Sequence, residues 1–261
     1  MIRWDAISWR FLRVWRRNFV TFRRIWKVNF LTPLLEPVFF IAAFGLGFAG
    51  LLGEVRYGGA AFSYPAFLAP ALIAAAVMNN AFFETTYASF VRMYYQKTFD
   101  GMLATPLSLE EIMLAEIVWS ASKAAAAAAI MLGVLSLFGL LLWPGALLVI
   151  PLAFLGGIAF GAIGLFFTGI VPTIEMFNLP IFLFVTPMFL FSGTFFPVSN
   201  LPLWAKPLAL SFPLYHLVEL CRLVCLGRSE TVAFLSLGYL AVFAVFFTIL
   251  ALFFMRRRLI R

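Results

Sequence analysis

The stretch "FLFSGTFFPVSNLPLWAKPLALSFPLYHLVELCR", residues 189–222, begins as an apolar helix and then fills with turn chemistry. Gly193, Pro197, Pro202, Pro207 and Pro213 interrupt it, and a helical pattern resumes that carries the one histidine, His216, and Arg222. Proline removes a backbone donor and glycine relaxes the backbone, so a continuous span is excluded. Phe195, Phe196, Leu203 and Trp204 nevertheless keep the stretch apolar. In lipid, irregular backbone survives only where protein or a water-filled cavity shields it. The reading is a hairpin that re-enters the membrane from one side, or caps a cavity there. An ordinary loop with a surface helix is the plainer alternative.

The surrounding chain sets that hairpin in a membrane protein. Its 261 residues are 64% hydrophobic and 11% charged, with a mean hydropathy of +1.03, which leaves too little polar surface to cover a soluble domain. Long uninterrupted apolar runs exclude a transmembrane barrel, whose strands alternate. The predicted fold is an all-α polytopic membrane protein with six transmembrane helices, near 34–53, 65–90, 112–142, 146–170, 177–196 and 232–254. Each has the ~20 residues that a ~30 Å core requires. Pro33 and Pro37 mark entry to the first, and the "WPG" turn at 143–145 ends the third. The re-entrant hairpin falls between the fifth and sixth.

Two domains are expected: an amphipathic interfacial helix within 1–30, and the transmembrane body over 31–261. In the first, Trp4, Ile7, Phe11, Val14 and Trp15 recur at helical spacing, with Arg3, Arg10, Arg13, Arg16 and Arg17 filling the other face. Arginines and aromatics interleave there, so it does not read as a cleavable signal peptide. Eight of the 19 Lys and Arg lie in residues 1–30 and four more in the last six, an orientation signal and not a nucleic-acid footprint. Both termini are predicted cytoplasmic. Loops 91–111 and 171–176 are then internal, and 54–63, 143–145 and 197–230 external.

Little in the chain promises covalent chemistry. There is no G-x-x-x-x-G-K-[ST] and no internal repeat. One histidine and two aspartates, Asp5 and Asp100, make a lipid-modifying enzyme a poor rival. Cys221 and Cys225 read as small apolar packers, and no metal site is expected. A channel or secondary carrier is the third possibility.

Three other features invite a role. In "RMYYQKTFDGMLATPLSLEEIMLAE", residues 92–116, a short helix over 94–103 places Tyr95, Phe99, Met102 and Leu103 near one side. Thr105-Pro106 stops it, and Ser108 with Glu111 forms a capping box for the next helix. This is either a plain connector or a helix that inserts into a groove on a soluble partner. In "LGGIAFGAIG", Gly157 and Gly161 with Ala153 and Gly164 form a small-residue strip for close helix packing, within the chain or between protomers. Finally Asn79, Asn80 and Glu84 on the second span and Glu116 and Lys123 on the third form an intramembrane polar set, expected to pair inside the bundle.

The opening stretch resembles the C-terminal signature of ABC-2 type transporter permeases, carried here by Ser192, Gly193, Phe196, Pro197, Leu201, Pro202, Pro213, Leu214 and Arg222. "FDGMLATPLSLEEIMLAE" resembles that family's first cytoplasmic loop, with its turn at Thr105-Pro106-Leu107. "FETTYASFVRM", "AEIVWSASKAA" and "SGTFFPVSNLP" are most similar to the lipo-oligosaccharide exporter branch, the nodulation protein J-like permeases. The resemblance implies a permease without its own nucleotide site or cofactor, working with a P-loop ABC ATPase that binds ATP and Mg²⁺. It implies two permeases, as a homodimer, with two ATPases in a bacterial inner membrane, and no nucleic-acid partner. Tyr95, Phe99, Asp100, Met102, Leu103, Thr105 and Pro106 would form the coupling helix seated on the ATPase. Ser192, Gly193, Phe196, Pro197, Pro202, Trp204, Pro213, His216 and Arg222 would form an outer re-entrant gate. The implied substrate is an amphiphile such as a lipo-oligosaccharide, with drugs or other hydrophobic small molecules as the alternative.

Overall fold

The computed structural model describes residues 8–46, 53–227 and 232–260. Trp4 and Ile7 of the predicted N-terminal helix, and the end of the first predicted span, lie outside those residues. Among them, five helices are long and apolar enough to cross a membrane, and a bent pair makes up to six.

Helix α1, Phe11–Arg24, is the described part of the basic amphipathic segment, and it buries Val14 and Asn18. Helix α2, Trp26–Phe40, continues as a wide-turn segment over Ile41–Leu46. Pro33 and Pro37 sit inside α2 and not at its entrance. The predicted loop 54–63 holds a small hairpin instead: β1, Val55–Tyr57, pairs antiparallel with β2, Ala60–Phe62. Gly58 and Gly59 join the strands with φ of 54° and 82°, the left-handed pair that a two-residue turn needs.

Helix α3 spans Tyr64–Tyr95, 32 residues, and is the centre of the bundle. From Phe67 to Met78 every side chain is buried. A helix that is apolar all round must be enclosed by protein or lipid, and the helices Leu109–Leu137, Val149–Ile170 and Pro213–Cys225 enclose this one. After Phe83 it unwinds into wider turns at Glu84–Ala88 and Val91–Tyr95. Helix α4, Thr98–Leu103, is short. Helix α5, Leu109–Leu137, starts at the expected capping box: Ser108 accepts from Glu111 N, and Glu111 accepts from Ser108 N. It ends before the predicted "WPG" turn, because Gly139 takes φ +67° just past its last turn.

Helix α6, Val149–Ile170, uses its small-residue strip within the chain. A Cβ on Gly157 would lie 2.6 Å from Ala121 Cα of α5, and one on Gly161 or Gly164 would strike Ser120 or Thr85. Helix α7, Ile174–Phe191, ends five residues short of the predicted span, at Ser192-Gly193. Helices α8, Ala205–Ser211, and α9, Pro213–Cys225, meet at 80°. Phe212 is extended between them and Pro213 opens α9, where its missing N–H costs nothing. Helix α10, Val232–Leu259, packs along α6 and against α9, and most of its remaining surface is exposed.

The chain's described ends lie together. Ser8 N donates to Glu111 Oε1 at 3.1 Å, and Arg256 Nη1 lies 2.6 Å from Glu110 Oε1, both at the start of α5. This tail end also carries α1 and α4. The hairpin β1–β2 and the turn at Gly193 occupy the opposite end.

Candidate functional site

At the tail end, α4 is built into the bundle by its apolar face. Phe99 is fully buried and Met102 is 9% exposed, within a cluster that includes Val14, Phe90, Met93, Leu109 and Ile112. Both therefore hold α4 in place and are not free to enter a partner's groove, which corrects the expected contact face. Tyr95 is on a different helix: Lys97 takes φ 52° and breaks the segment predicted as one helix over 94–103. What α4 leaves exposed is Asp100, Gly101 and the turn Ala104-Thr105-Pro106, with Tyr94 and Tyr95 beside it and Leu103 half-buried. Thr105 Oγ1 donates to the Met102 carbonyl at 2.6 Å and closes the turn. Arg10 Nη1 donates to the Pro106 carbonyl at 2.9 Å, so α1 holds the same turn from the other side.

Behind α4 lies a buried ion cluster that ties α1, α3 and α5 together. Arg92 Nη1 lies 2.9 Å from Glu84 Oε1, and its Nη2 pairs with Glu116. Lys123 Nζ lies 2.9 Å from Glu84 Oε2. Trp119 Nε1 donates to Glu84 at 3.0 Å, Ser89 Oγ to Glu116 at 2.6 Å, and Asn18 Nδ2 of α1 to Glu116 at 2.9 Å. Glu84 and Glu116 are 7% and 0% exposed, and buried carboxylates are tolerated only when paired and hydrogen-bonded. The sequence paired Glu84, Glu116 and Lys123 but missed Arg92, because eight residues of an ordinary α-helix overshoot two turns by about 80°. The wider turns at 84–95 bring Arg92 back over Glu84. Asn80 instead donates to its own helix, at Ala76 O, 2.9 Å away. Beside the cluster a cleft opens between α1, α2 and α3, lined by Asn79, Asn80, Glu84, Arg92 and Lys123 among others.

At the opposite end the expected gate residues converge on Arg222, which is wholly buried. Its Nη2 donates to the carbonyls of Gly193 at 2.6 Å and Thr194 at 3.2 Å. Its Nε donates to Phe67 O at 3.3 Å, and its guanidinium lies 3.7 Å from the centre of the Phe67 ring. Nη1 pairs with Glu219 at 3.4 Å, and Tyr57 of β1 donates to the same carboxylate. One arginine thus fastens the Gly193 turn, α3, α9 and the hairpin. Tyr57, Phe67 and Glu219 carried no signal in sequence, since each lies far from or outside the recognised pattern.

The other predicted gate residues do not all meet there. Ser192 and Pro197 are buried beside the turn, whereas Phe196, Pro202 and Trp204 are exposed, with Leu203 the most exposed. Pro213 is buried at the α8–α9 bend. His216 Nε2 lies 2.9 Å from Leu210 O and Nδ1 3.1 Å from Ser236 Oγ. A carbonyl only accepts, so Nε2 carries the proton and Nδ1 accepts from the serine. With its ring 4.0 Å from that of Tyr239, His216 fastens the bend to α10. Among the described residues no three His, Cys, Asp or Glu side chains gather as a metal site, and Cys221 and Cys225 are buried in the core.

Known proteins are similar to this chain in sequence. The ABC-2 type transporter model matches residues 10–226, from α1 to the end of α9. Nodulation protein J of Sinorhizobium fredii is 35% identical over 255 residues, 98% of this chain and 96% of that one. Nodulation protein J of Bradyrhizobium diazoefficiens is 37% identical over 259 residues, covering 98% and 96%. The match takes in both the α4 end and the Arg222 end, and the chain belongs to the ABC-2 type transporter family, as a membrane permease of the nodulation protein J type.

Proposed function

We propose that this permease is the membrane subunit of an ATP-driven exporter, moving an amphiphile of the lipo-oligosaccharide or glycolipid kind outward across a bacterial inner membrane. Two permease chains work with two P-loop ATPase subunits, and ATP and Mg²⁺ belong to the ATPases. The tail end faces the cytoplasm, where its arginines meet the anionic leaflet.

The observation that carries this reading is the mounting of α4. Its buried face is fixed by Phe99 and Met102, its following turn is held by Arg10, and its exposed tip is Asp100 to Pro106. A helix this short has no stability of its own and transmits force only because the bundle holds it. A push on the tip passes to α5 through Ser108 and Glu111, and to α1 through Arg10. The ion cluster beneath joins both to α3, which runs to the Phe67 carbonyl that Arg222 engages at the far end. Arg222 and the Gly193 turn are the closing element of the exit, with Phe196 and Trp204 at its lipid edge.

The test is purification of the tagged full chain from its own membranes. A P-loop ATPase should come with it, and hydrolysis by the pair should respond to glycolipid. A permease that purifies without an ATPase yet still transports would be a carrier of another kind.

A further inference from the structure

The cleft beside the ion cluster has a volume of about 640 Å³, within the range of small-molecule sites. Its wall is unusual for a membrane bundle. Five amides reach it, Asn18, Asn29, Asn79, Asn80 and Gln96, together with the rings of Phe22, Phe83, Tyr87 and Trp119. Asn80 and Asn29 spend their NH₂ groups on backbone carbonyls of their own helices, at 2.9 and 3.1 Å. Asn79 makes no side-chain hydrogen bond among the described residues.

Charge in the cleft is matched internally. Arg17, Arg92 and Lys123 stand against Glu36, Glu84 and the Glu116 behind them. Arg92 and Lys123 are already paired with carboxylates, and Arg17 donates to the Asn18 amide at 3.3 Å with Glu36 in the same lining to offset its charge, so the cleft carries no excess of positive charge for a phosphate. Amides offer donor and acceptor together, as a hydroxyl does, and ring faces cover the apolar side of a sugar. The lining suits a neutral, polyhydroxylated headgroup.

Glu36 lines this cleft and also a second, apolar one on α2. Leu31, Leu35 and Phe39 follow each other at one-turn intervals there, with Phe40 beside them, and the first three are exposed. We infer that cleft and groove are one binding site for a single amphiphile, its neutral sugar headgroup among the amides and its acyl chain along α2. The continuity at Glu36 is what commits the groove to the chain of that same molecule. The inference rests on the export reading for its place in transport, as the loading site at the tail end before the substrate crosses.

The experiment uses the full-length permease in nanodiscs without ATPase or ATP. It is titrated with a fluorescent single-chain N-acyl tetrasaccharide and with phosphatidic acid of the same chain length. Asn79→Ala and Phe83→Leu should each weaken tetrasaccharide-lipid binding about tenfold, the loss of roughly one good polar or ring contact, and leave phosphatidic acid unchanged. Neither residue's removal leaves a buried partner unpaired, so folding should persist. Leu35→Ser should flatten the dependence of affinity on acyl length. Unchanged binding by all three variants, or phosphatidic acid binding as tightly as the glycolipid, overturns the site. So does efficient cross-linking of Leu35→Cys to a second copy irrespective of lipid, which makes the groove an interface. Transport in the ATPase complex separates the two claims: export by variants that bind normally removes the site but keeps the exporter. Specific binding without ATP-dependent export does the reverse.

Discussion

Arg222 shows what one residue can hold. Its guanidinium donates to three carbonyls, pairs with Glu219 and lies over Phe67, all away from solvent. Removing it leaves the Gly193 turn without its donor and Glu219 with Tyr57 alone. Arg222→Leu should destabilise the permease by about 3–5 kcal/mol, the usual result of breaking a buried pair from one side, read as a large fall in unfolding temperature in detergent. Arg222→Lys should recover part of this, since a point charge cannot reproduce the planar fork. Gly193→Leu is the complementary change. Gly193 takes φ +75°, which costs a side-chain residue about 1–2 kcal/mol, and its Cβ would lie 2.8 Å from Val198 Cγ2. Export should fall more than assembly in that variant; normal export would make the turn a plain loop. The Ser-Gly pair and Arg222 were both visible in sequence as parts of one pattern. Their contact was not, because nothing local tells a turn at 193 that its donor stands 29 residues on.

At the scale of the element, α4 is where sequence reading and structure diverge most. Tyr95, Phe99 and Met102 share a side if 94–103 is one helix, and an exposed apolar face looks made for a partner. A single left-handed residue, Lys97, resets the phase and turns Phe99 inward. Lysine carries no hint of that conformation, which glycine or asparagine would have given. Two substitutions separate mounting from docking. Phe99→Asp buries an unpaired carboxylate and should cost on the order of several kcal/mol, so the permease itself fails to accumulate. Asp100→Arg reverses charge on the exposed tip and should leave stability unchanged while the ATPase is lost from the purified complex. Normal ATPase recovery with Asp100→Arg would mean that the tip is not the contact. The capping box at Ser108, by contrast, was fully legible, because its donors and acceptors lie within one turn.

For the whole molecule, hydropathy gave five of the six expected spans and their order, since a bilayer demands long apolar helices; the end of the first lies outside the described residues. It placed their ends poorly where a glycine in the left-handed region stops a helix early, at Gly139 and Gly193. It gave no sign of the small hairpin at Val55–Phe62 beyond the Gly-Gly pair, nor of α3 as the enclosed centre. The ion cluster was half legible: its carboxylates were conspicuous in an apolar setting, but its arginine was hidden by the change in helical winding. The molecule then reads as two fastened ends, α4 with its buried charges and Arg222 with its turn, joined through α3. The most direct test of that account is transport in inside-out vesicles holding the permease with its ATPase. Addition of ATP and Mg²⁺ should drive accumulation of a fluorescent N-acyl oligosaccharide, and Asp100→Arg and Gly193→Leu should each abolish most of it while the proteins remain in the membrane. Undiminished accumulation without ATP, driven by an ion gradient alone, would contradict it.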